Sequence, residues 1–368
     1  MHIDRLLLQN FRSYPQGDVS FDPGINVLCG DNAQGKTNLL EAVFLCAVTR
    51  SFRGAADREM LRRGCRGYEV ALSYFSGLRQ QQLLVKYAGG RKEFFRNGVK
   101  QRRSEFVGAL KCVLFAPEHL SLIKNGPGER RRFIDMSLCQ MKPSYYSALS
   151  TYQKLLEQKN VLLRRMDGGR QYVDLLRLYN DKLSISGAQL MQARRAYIEK
   201  LEEFGRRTHR ELSGGLEELS LVYRPSPGIS LEGSLEELAG AFADQLERHM
   251  DREIALRGSL TGCHRDDVDI RINGFSARAY GSQGQQRSCV LSLKMAECDI
   301  FEEQFGEYPV LLLDDIMSEL DAGRQEYVAS HISGRQVLIT CCDKERFAHL
   351  TGSRVIPIQR QTEEEQHG

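Results

Sequence analysis

Gly30-Asp31-Asn32-Ala33-Gln34-Gly35-Lys36-Thr37 decides how this chain is read. The spacing of its glycines, lysine and threonine fits the Walker A phosphate-loop pattern at every fixed position. Ile25 to Cys29, bounded by Pro23-Gly24 and Gly30, reads as a short strand before it, and Lys36 to Val48 has helical spacing after it. In that setting backbone N–H groups and the helix N-terminus surround phosphates, so each residue of the loop is a candidate nucleotide contact. Lys36 would reach the β- and γ-phosphates, and Thr37 would offer its hydroxyl to Mg²⁺. A chance match is the bland alternative, and the flanking strand and helix argue against it.

Almost at the other terminus, Val310-Leu311-Leu312-Leu313-Asp314-Asp315 is an apolar strand ending in paired carboxylates. Asp314 stands where a carboxylate holds Mg²⁺ or its waters, and Asp315 where one orients an attacking water. Two aspartates can also simply begin a loop. Upstream, Ser282-Gln283-Gly284-Gln285-Gln286-Arg287 is small and polar and leads into a helix, Gln285 to Phe305. By itself it reads as an N-cap; as an anion site it would offer the Ser282 hydroxyl and free N–H groups around Gly284. One nucleotide site is thus expected from pieces far apart in the chain.

With 368 residues, 41% hydrophobic and 27% charged, the chain has room for one large or two medium domains. No apolar run reaches the ~20 residues needed to cross a bilayer. The start, Met1-His2-Ile3-Asp4-Arg5, has no secretory pattern, so a cytoplasmic protein with no membrane partner is expected. Ten scattered cysteines without C-x-x-C spacing read as reduced thiols rather than disulfides or a metal site. A net charge of +3 does not argue for nucleic acid. Its distribution says more: Arg50, Arg53, Arg58, Arg62, Arg63, Arg66, Arg91, Lys92, Arg96, Lys100, Arg102 and Arg103 crowd the first part, followed by Arg130-Arg131-Arg132. Such clustering makes a DNA-binding face, or merely a solvated surface.

Short strands are expected at Ile3–Leu8, Tyr68–Tyr74, Gln81–Tyr87, Glu93–Arg96 and Lys111–Phe115, with Asn97-Gly98 as a tight hairpin turn. From Glu129 to about Arg210 helix formers dominate, broken at Asp167-Gly168-Gly169, which predicts an antiparallel helix pair. A strand from Leu221 to Arg224, ended by Pro225 and Pro227, and a helix from Ser234 to about Leu256 follow. Strands at Val268–Ile272, before a second hairpin signal Asn273-Gly274, and at Gln336–Thr340 complete the pattern, and the polar tail from Thr362 reads as disordered. The economical architecture is one α/β ATPase domain from both chain ends, 1–128 and 258–368, interrupted by a helical insertion, 129–257, shaped like a short antiparallel coiled coil.

Ser282 to Arg287 before an acidic strand resembles the signature segment of ABC-type P-loop ATPases, and Ser318-Glu319-Leu320-Asp321 resembles their D-loop. Asn10-Phe11-Arg12-Ser13-Tyr14 ahead of the phosphate loop resembles the start of SMC-like DNA repair ATPases. Asn125 to Asp135 (NGPGERRRFID), His264-Arg265-Asp266-Asp267 and Gly281 to Arg287 are similar to segments of the RecF family. The resemblance spans most of the chain. It implies an ATPase head that dimerises on ATP, the signature of one copy closing over the other's γ-phosphate, and that clamps DNA. It further implies single-stranded and duplex DNA at gaps as ligands, RecR, RecO and RecA as associates in recombinational repair, replication and the SOS response, and weak, DNA-stimulated hydrolysis. Arg12 and Ser13 would lie near base and ribose.

Several positions depart from relatives. Asp315 replaces the glutamate of most ABC ATPases, a shorter reach that fits slow hydrolysis. Thr340-Cys341-Cys342 stands where many relatives place a switch histidine, Cys263 where RecF-like chains carry proline, and Pro117-Glu118-His119 lacks the Q-loop glutamine, with Glu118 its weak candidate substitute. Arg130 to Arg132 fit beside a nucleotide or paired with Glu129 equally well. Other readings were an SMC-type clamp, a transporter ATPase subunit and a small-molecule kinase. An arm of about 40 residues reaches only ~60 Å, too short for long hinged arms. The helical insertion and basic first half do not suit a transporter subunit, and a kinase needs no signature segment.

Overall fold

The structure, a computed structural model, describes residues 1–165, 170–226, 228–342 and 353–359. The chain divides into two compact units, Met1–Ser121 with Val290–Gly368, and Leu122–Cys289. Its elements begin β1 (His2–Phe11), β2 (Tyr14–Ser20), β3 (Ile25–Cys29), α1 (Lys36–Val48), β4 (Gly67–Ser76), β5 (Arg79–Ala88), β6 (Arg91–Arg96), β7 (Val99–Gln101), α2 (Arg103–Phe106) and β8 (Cys112–Phe115). Then come α3 (Pro127–Met141), α4 (Pro143–Arg165), α5 (Arg170–Leu212), β9 (Leu219–Arg224), α6 (Leu235–Leu256), β10 (Asp267–Ile272), β11 (Phe275–Ser276) and α7 (Ala277–Tyr280). The chain ends with α8 (Gln283–Phe305), β12 (Val310–Leu313), α9 (Ala322–His331), β13 (Val337–Cys341) and β14 (Arg354–Pro357).

The first unit holds two sheets. One is antiparallel, in the order β2-β1-β4-β5-β6-β7. In β4 buried residues alternate with partly exposed ones, as a sheet with one covered face demands. The turn between β6 and β7 is Asn97-Gly98, with φ of 50° and 78°, the double positive φ of a two-residue hairpin. The other sheet runs in the order β14-β3-β13-β12-β8, every pair parallel. All residues of β12, β13 and β8 are buried, which is why their sequences are continuous apolar runs rather than alternating ones.

In the second unit α4 and α5 pack antiparallel: Leu163 meets Leu176 in one buried cluster with Met250, while Tyr145 bonds Arg194. The break read at Asp167-Gly168-Gly169 lies outside the described residues, as do Pro227 and the tail from Thr362. The helical run from Glu129 is split before Pro143, giving α3 and α4 where one continuous helix was read, because proline cannot continue the hydrogen-bonded ladder. This unit is wider than 129–257, since it also contains the sheet β11-β10-β9. β9 alone carries too little apolar surface to be stable and pairs with β10 beyond the helices.

Two segments quoted for family likeness meet in this unit. Arg194 of α5 donates to Asp135 at 2.9 and 3.0 Å, to the Cys263 carbonyl at 2.6 Å and to Asp266 at 3.2 Å. Asp266 also accepts from Tyr223 and from the Ser226 backbone at 2.8 Å. Burial pushes the Asp266 carboxyl up, and Arg194 with these donors opposes that. Arg130 pairs with Asp267 at 2.7 Å and donates to the Asn125 carbonyl; it does not pair with Glu129. Its burial leaves it a structural cation.

Candidate nucleotide site

The carboxyl ends of β3, β13 and β12 lie side by side, the place where open parallel sheets bind ligands. From β3 the chain enters Gly30–Thr37 and then α1, whose N-terminal N–H groups face the loop. Ala33 and Gly35 take φ of 66° and 100°. A Cβ on Gly35 would stand 2.9 Å from both Ser13 Oγ and Tyr14 Oη, so glycine is required there on two counts. Lys36 is buried and donates to the carbonyls of Gly30 and, at 3.1 Å, Asp31. Gln34 folds over the loop, accepting from the Asp31 backbone at 2.7 Å and donating to the Asp31 carboxylate at 3.1 Å. Asn32 accepts from Cys342 at 2.9 Å.

Thr37 Oγ1 donates to Asp314 Oδ1 at 2.9 Å, joining residues 277 positions apart. Thr340 of β13 donates to the same oxygen at 2.9 Å. Burial pushes the Asp314 carboxyl up, and the two threonine hydroxyls work against that. Hydroxyl and carboxylate oxygens held together are the hard donor set that Mg²⁺ takes. Asp315 sits at φ 51°, its backbone N–H bonded to Thr340 Oγ1 at 2.8 Å, so its side chain leaves the strand in a different direction from that of Asp314.

Arg12 and Ser13 form the tip of the β1–β2 turn, where Phe11 pairs with Tyr14. Ser13 Oγ accepts from Asn38 at 2.9 Å, and Tyr14 donates to the Gly35 carbonyl at 3.2 Å. The Arg12 guanidinium binds the buried Glu41 carboxylate twice at 2.7 Å and the Glu59 carbonyl at 2.8 Å. Glu118 is exposed in a short helical turn, Pro117–Ser121. Sequence reading missed Asn38, counted Arg53 only in a basic cluster, and placed Thr340 at the position of a switch histidine without its bond to Asp314. Arg53 donates to Asn38 at 3.1 Å.

Within the second unit, Ser282 and Gln285 cap α8 reciprocally: Ser282 N–H donates to Gln285 Oε1 at 2.8 Å, and Gln285 N–H to Ser282 Oγ at 3.2 Å. Gln285 also donates to Glu217 at 2.9 Å, and Gln286 to the Gly281 carbonyl at 3.1 Å. Ser282 is exposed and Gly284 partly so, at the start of a 23-residue helix. The N-cap reading therefore holds for this segment.

Of the basic residues, Arg50, Arg53, Arg58, Arg63, Arg66, Arg91, Lys100 and Arg102 are exposed. Lys92 is instead spent on Asp57 and the Thr49 carbonyl, and Arg103 on Thr49.

The family model described as RecF/RecN/SMC N terminal domain matches residues 2–366. A protein of Acetivibrio thermocellus called DNA replication and repair protein RecF is 40% identical over 349 residues, covering 94% of this chain and 95% of that one. One of the same name from Halalkalibacterium halodurans is 39% identical over 358 residues, covering 95% of each. Among solved structures, one described as the recombination mediator protein RecF-ATP in the RecFOR pathway superposes with a TM-score of 0.89 at 32% identity, covering 98% of this chain and 96% of that one. An Smc head domain from Pyrococcus furiosus shares the fold, with a TM-score of 0.55 at 17% identity, covering 98% and 94%. The chain belongs to the RecF family, within the RecF/RecN/SMC N-terminal domain family.

Proposed function

We propose that the chain binds ATP with Mg²⁺ at Gly30–Thr37, joins a second copy on doing so, and holds DNA during recombinational repair and replication. The observation that carries this reading is the bond from Thr37 to Asp314 at the carboxyl ends of the parallel sheet. A phosphate loop and an acidic strand are thereby one site, with Lys36 beside them. Thr37 and Asp314 would hold Mg²⁺, which supplies charge neutralisation on the phosphates. Asp315 is the carboxylate left to orient an attacking water, and Arg12 and Ser13 approach the sugar and base. Ser282 and Gly284 reach the nucleotide of the second copy, the task that accounts for an exposed, capped signature segment. Hydrolysis is slow and opens the pair. DNA at gaps, RecR- and RecO-type mediators and RecA are the partners that family membership supports.

Sedimentation with ATP, ADP or no nucleotide, each with and without DNA, tests the scheme. ATP alone is expected to produce the dimer. Ser282→Arg places a long cation over the facing phosphate and is expected to leave a monomer that still binds ATP. A dimer indifferent to nucleotide, or normal dimerisation of that variant, sinks the reading.

A further inference from the structure

Glu41 lies on α1, the helix that follows the phosphate loop, and its carboxylate is fully buried. Arg12 donates to it from Nε and Nη2, each at 2.7 Å, and Ser51, just past the end of α1, donates to it from its hydroxyl. From Ser51 a chain of bonds leads back to the start. Ser51 Oγ accepts from the Arg53 backbone N–H at 3.1 Å, the Arg53 guanidinium donates to Asn38 Oδ1 at 3.1 Å, and Asn38 Nδ2 donates to Ser13 Oγ at 2.9 Å. Ser13 follows Arg12, so the circuit is closed. Its floor, Glu41 and Ser51, is buried, and its rim, Ser13 and Arg53, is exposed. Phe52 packs edge-on against Phe44 of α1 at 5.6 Å, which holds the segment carrying Ser51 and Arg53 on the helix. The plainer role of such a pair is to fasten the β1–β2 turn to α1. Yet a buried ion pair adds little net stability over apolar residues of the same volume, because desolvation offsets the attraction; what it fixes here is geometry. The circuit also ends at the phosphate loop, where Ser13 Oγ stands 2.9 Å from the place a Cβ on Gly35 would take. Because Ser13 Oγ accepts from Asn38, its own O–H is left to donate outward.

We propose that Glu41 is a positioning residue for the nucleoside end of ATP. Through Arg12 on one side, and through Ser51, Arg53 and Asn38 on the other, it fixes the Ser13 hydroxyl so that its O–H meets an acceptor on the bound sugar or base. Removing the carboxylate frees the Arg12 side chain and lets the β1–β2 turn shift. Lys36, Thr37 and Asp314 bond elsewhere and keep their places. The proposal rests on the ATP-site reading above and narrows it to the part of the ligand beyond the phosphates.

Full-length protein and its variants are titrated with ATP and with inorganic tripolyphosphate, which carries the phosphates but no nucleoside. Glu41→Gln should lose ATP affinity by about tenfold, while tripolyphosphate affinity changes by less than about twofold. Arg12→Gln should show the same split, and the double variant should lose no more than the larger single loss, since both act through one contact. Glu41→Gln leaves Arg12 without its counter-charge, so Glu41→Asp, which keeps the charge and shortens the reach, supplies a second measurement. It should lose ATP affinity by about threefold, again without loss for tripolyphosphate. ATP binding unchanged in these variants, tripolyphosphate falling in step with ATP, or single losses that add in the double variant overturns the proposal. Wild-type protein that binds neither ligand removes the ATP-site reading, and the proposal with it.

Discussion

Lys36 keeps its ammonium against the carbonyls of Gly30 and Asp31, so it is already positioned at the loop it serves. Lys36→Ala should weaken ATP binding by about 1.5–3 kcal/mol, the range for a hydrogen bond to a charged group, or about 10–100-fold. Titration calorimetry checks this, and an unchanged affinity refutes the role. Asp315→Asn should retain ATP binding and slow phosphate release by about 10²–10⁴-fold, since it removes the carboxylate left to orient water. A variant that turns over normally would mean a different group does that work. At this scale the loop's residues were legible because the chemistry of phosphate binding is written in consecutive positions. Thr340 was not, because a threonine ending an apolar strand announces no partner; its bond to Asp314 arises from strand neighbourhood. Arg130 misled for the reverse reason: an exposed-looking arginine run conceals one guanidinium buried against Asp267.

Among the elements, α5 shows how closely the helices of the second unit approach. A Cβ added to Gly187 would lie 2.3 Å from the ring of Phe242, which is fully buried on α6. Gly187→Ala should therefore destabilise this unit by about 1–3 kcal/mol despite alanine's better helix propensity, because the ring has nowhere to go. A denaturant midpoint that rises instead would show that the helices can part. His264 offers a second test in the same unit. It shares a 2.9 Å hydrogen bond with Tyr152, and burial, with Arg265 and Arg131 nearby, pushes its imidazole down to about 4. An unfolded histidine titrates near 6.5, so between these values the unfolded chain takes up a proton that the folded chain refuses. Its contribution is complete above pH 6.5 and lost as pH falls toward 4, by about 3 kcal/mol. His264→Gln should lose less stability over that interval, and equal slopes would discard the account. Periodicity located most elements to within a few residues. It passed over β2, whose buried positions are too few to mark it, and β14, whose residues are mostly exposed.

For the whole molecule, DNA binding should rest on phosphate contacts from the exposed arginines and lysines of the first unit. The logarithm of affinity should then fall with the logarithm of salt, with a slope of roughly −0.9 for each duplex phosphate neutralised. Salt-insensitive binding would remove the basic surface from the scheme. Sequence alone established the chemical parts: a phosphate loop between strand and helix, an acid-ended strand, a capped signature segment and a long helical interruption. Each depends on spacing within a few residues or on one element's apolar period, and such local rules survive without knowledge of neighbours. Tertiary structure alone decided that β13 separates β3 from β12, which brings Thr340 and Cys342 to the loop, and that Arg194 gathers Asp135, Asp266 and the Cys263 carbonyl. Buried parallel strands with nearly identical apolar sequences carry no mark of which will lie beside which. That order is set by long-range packing and by where buried charges find partners.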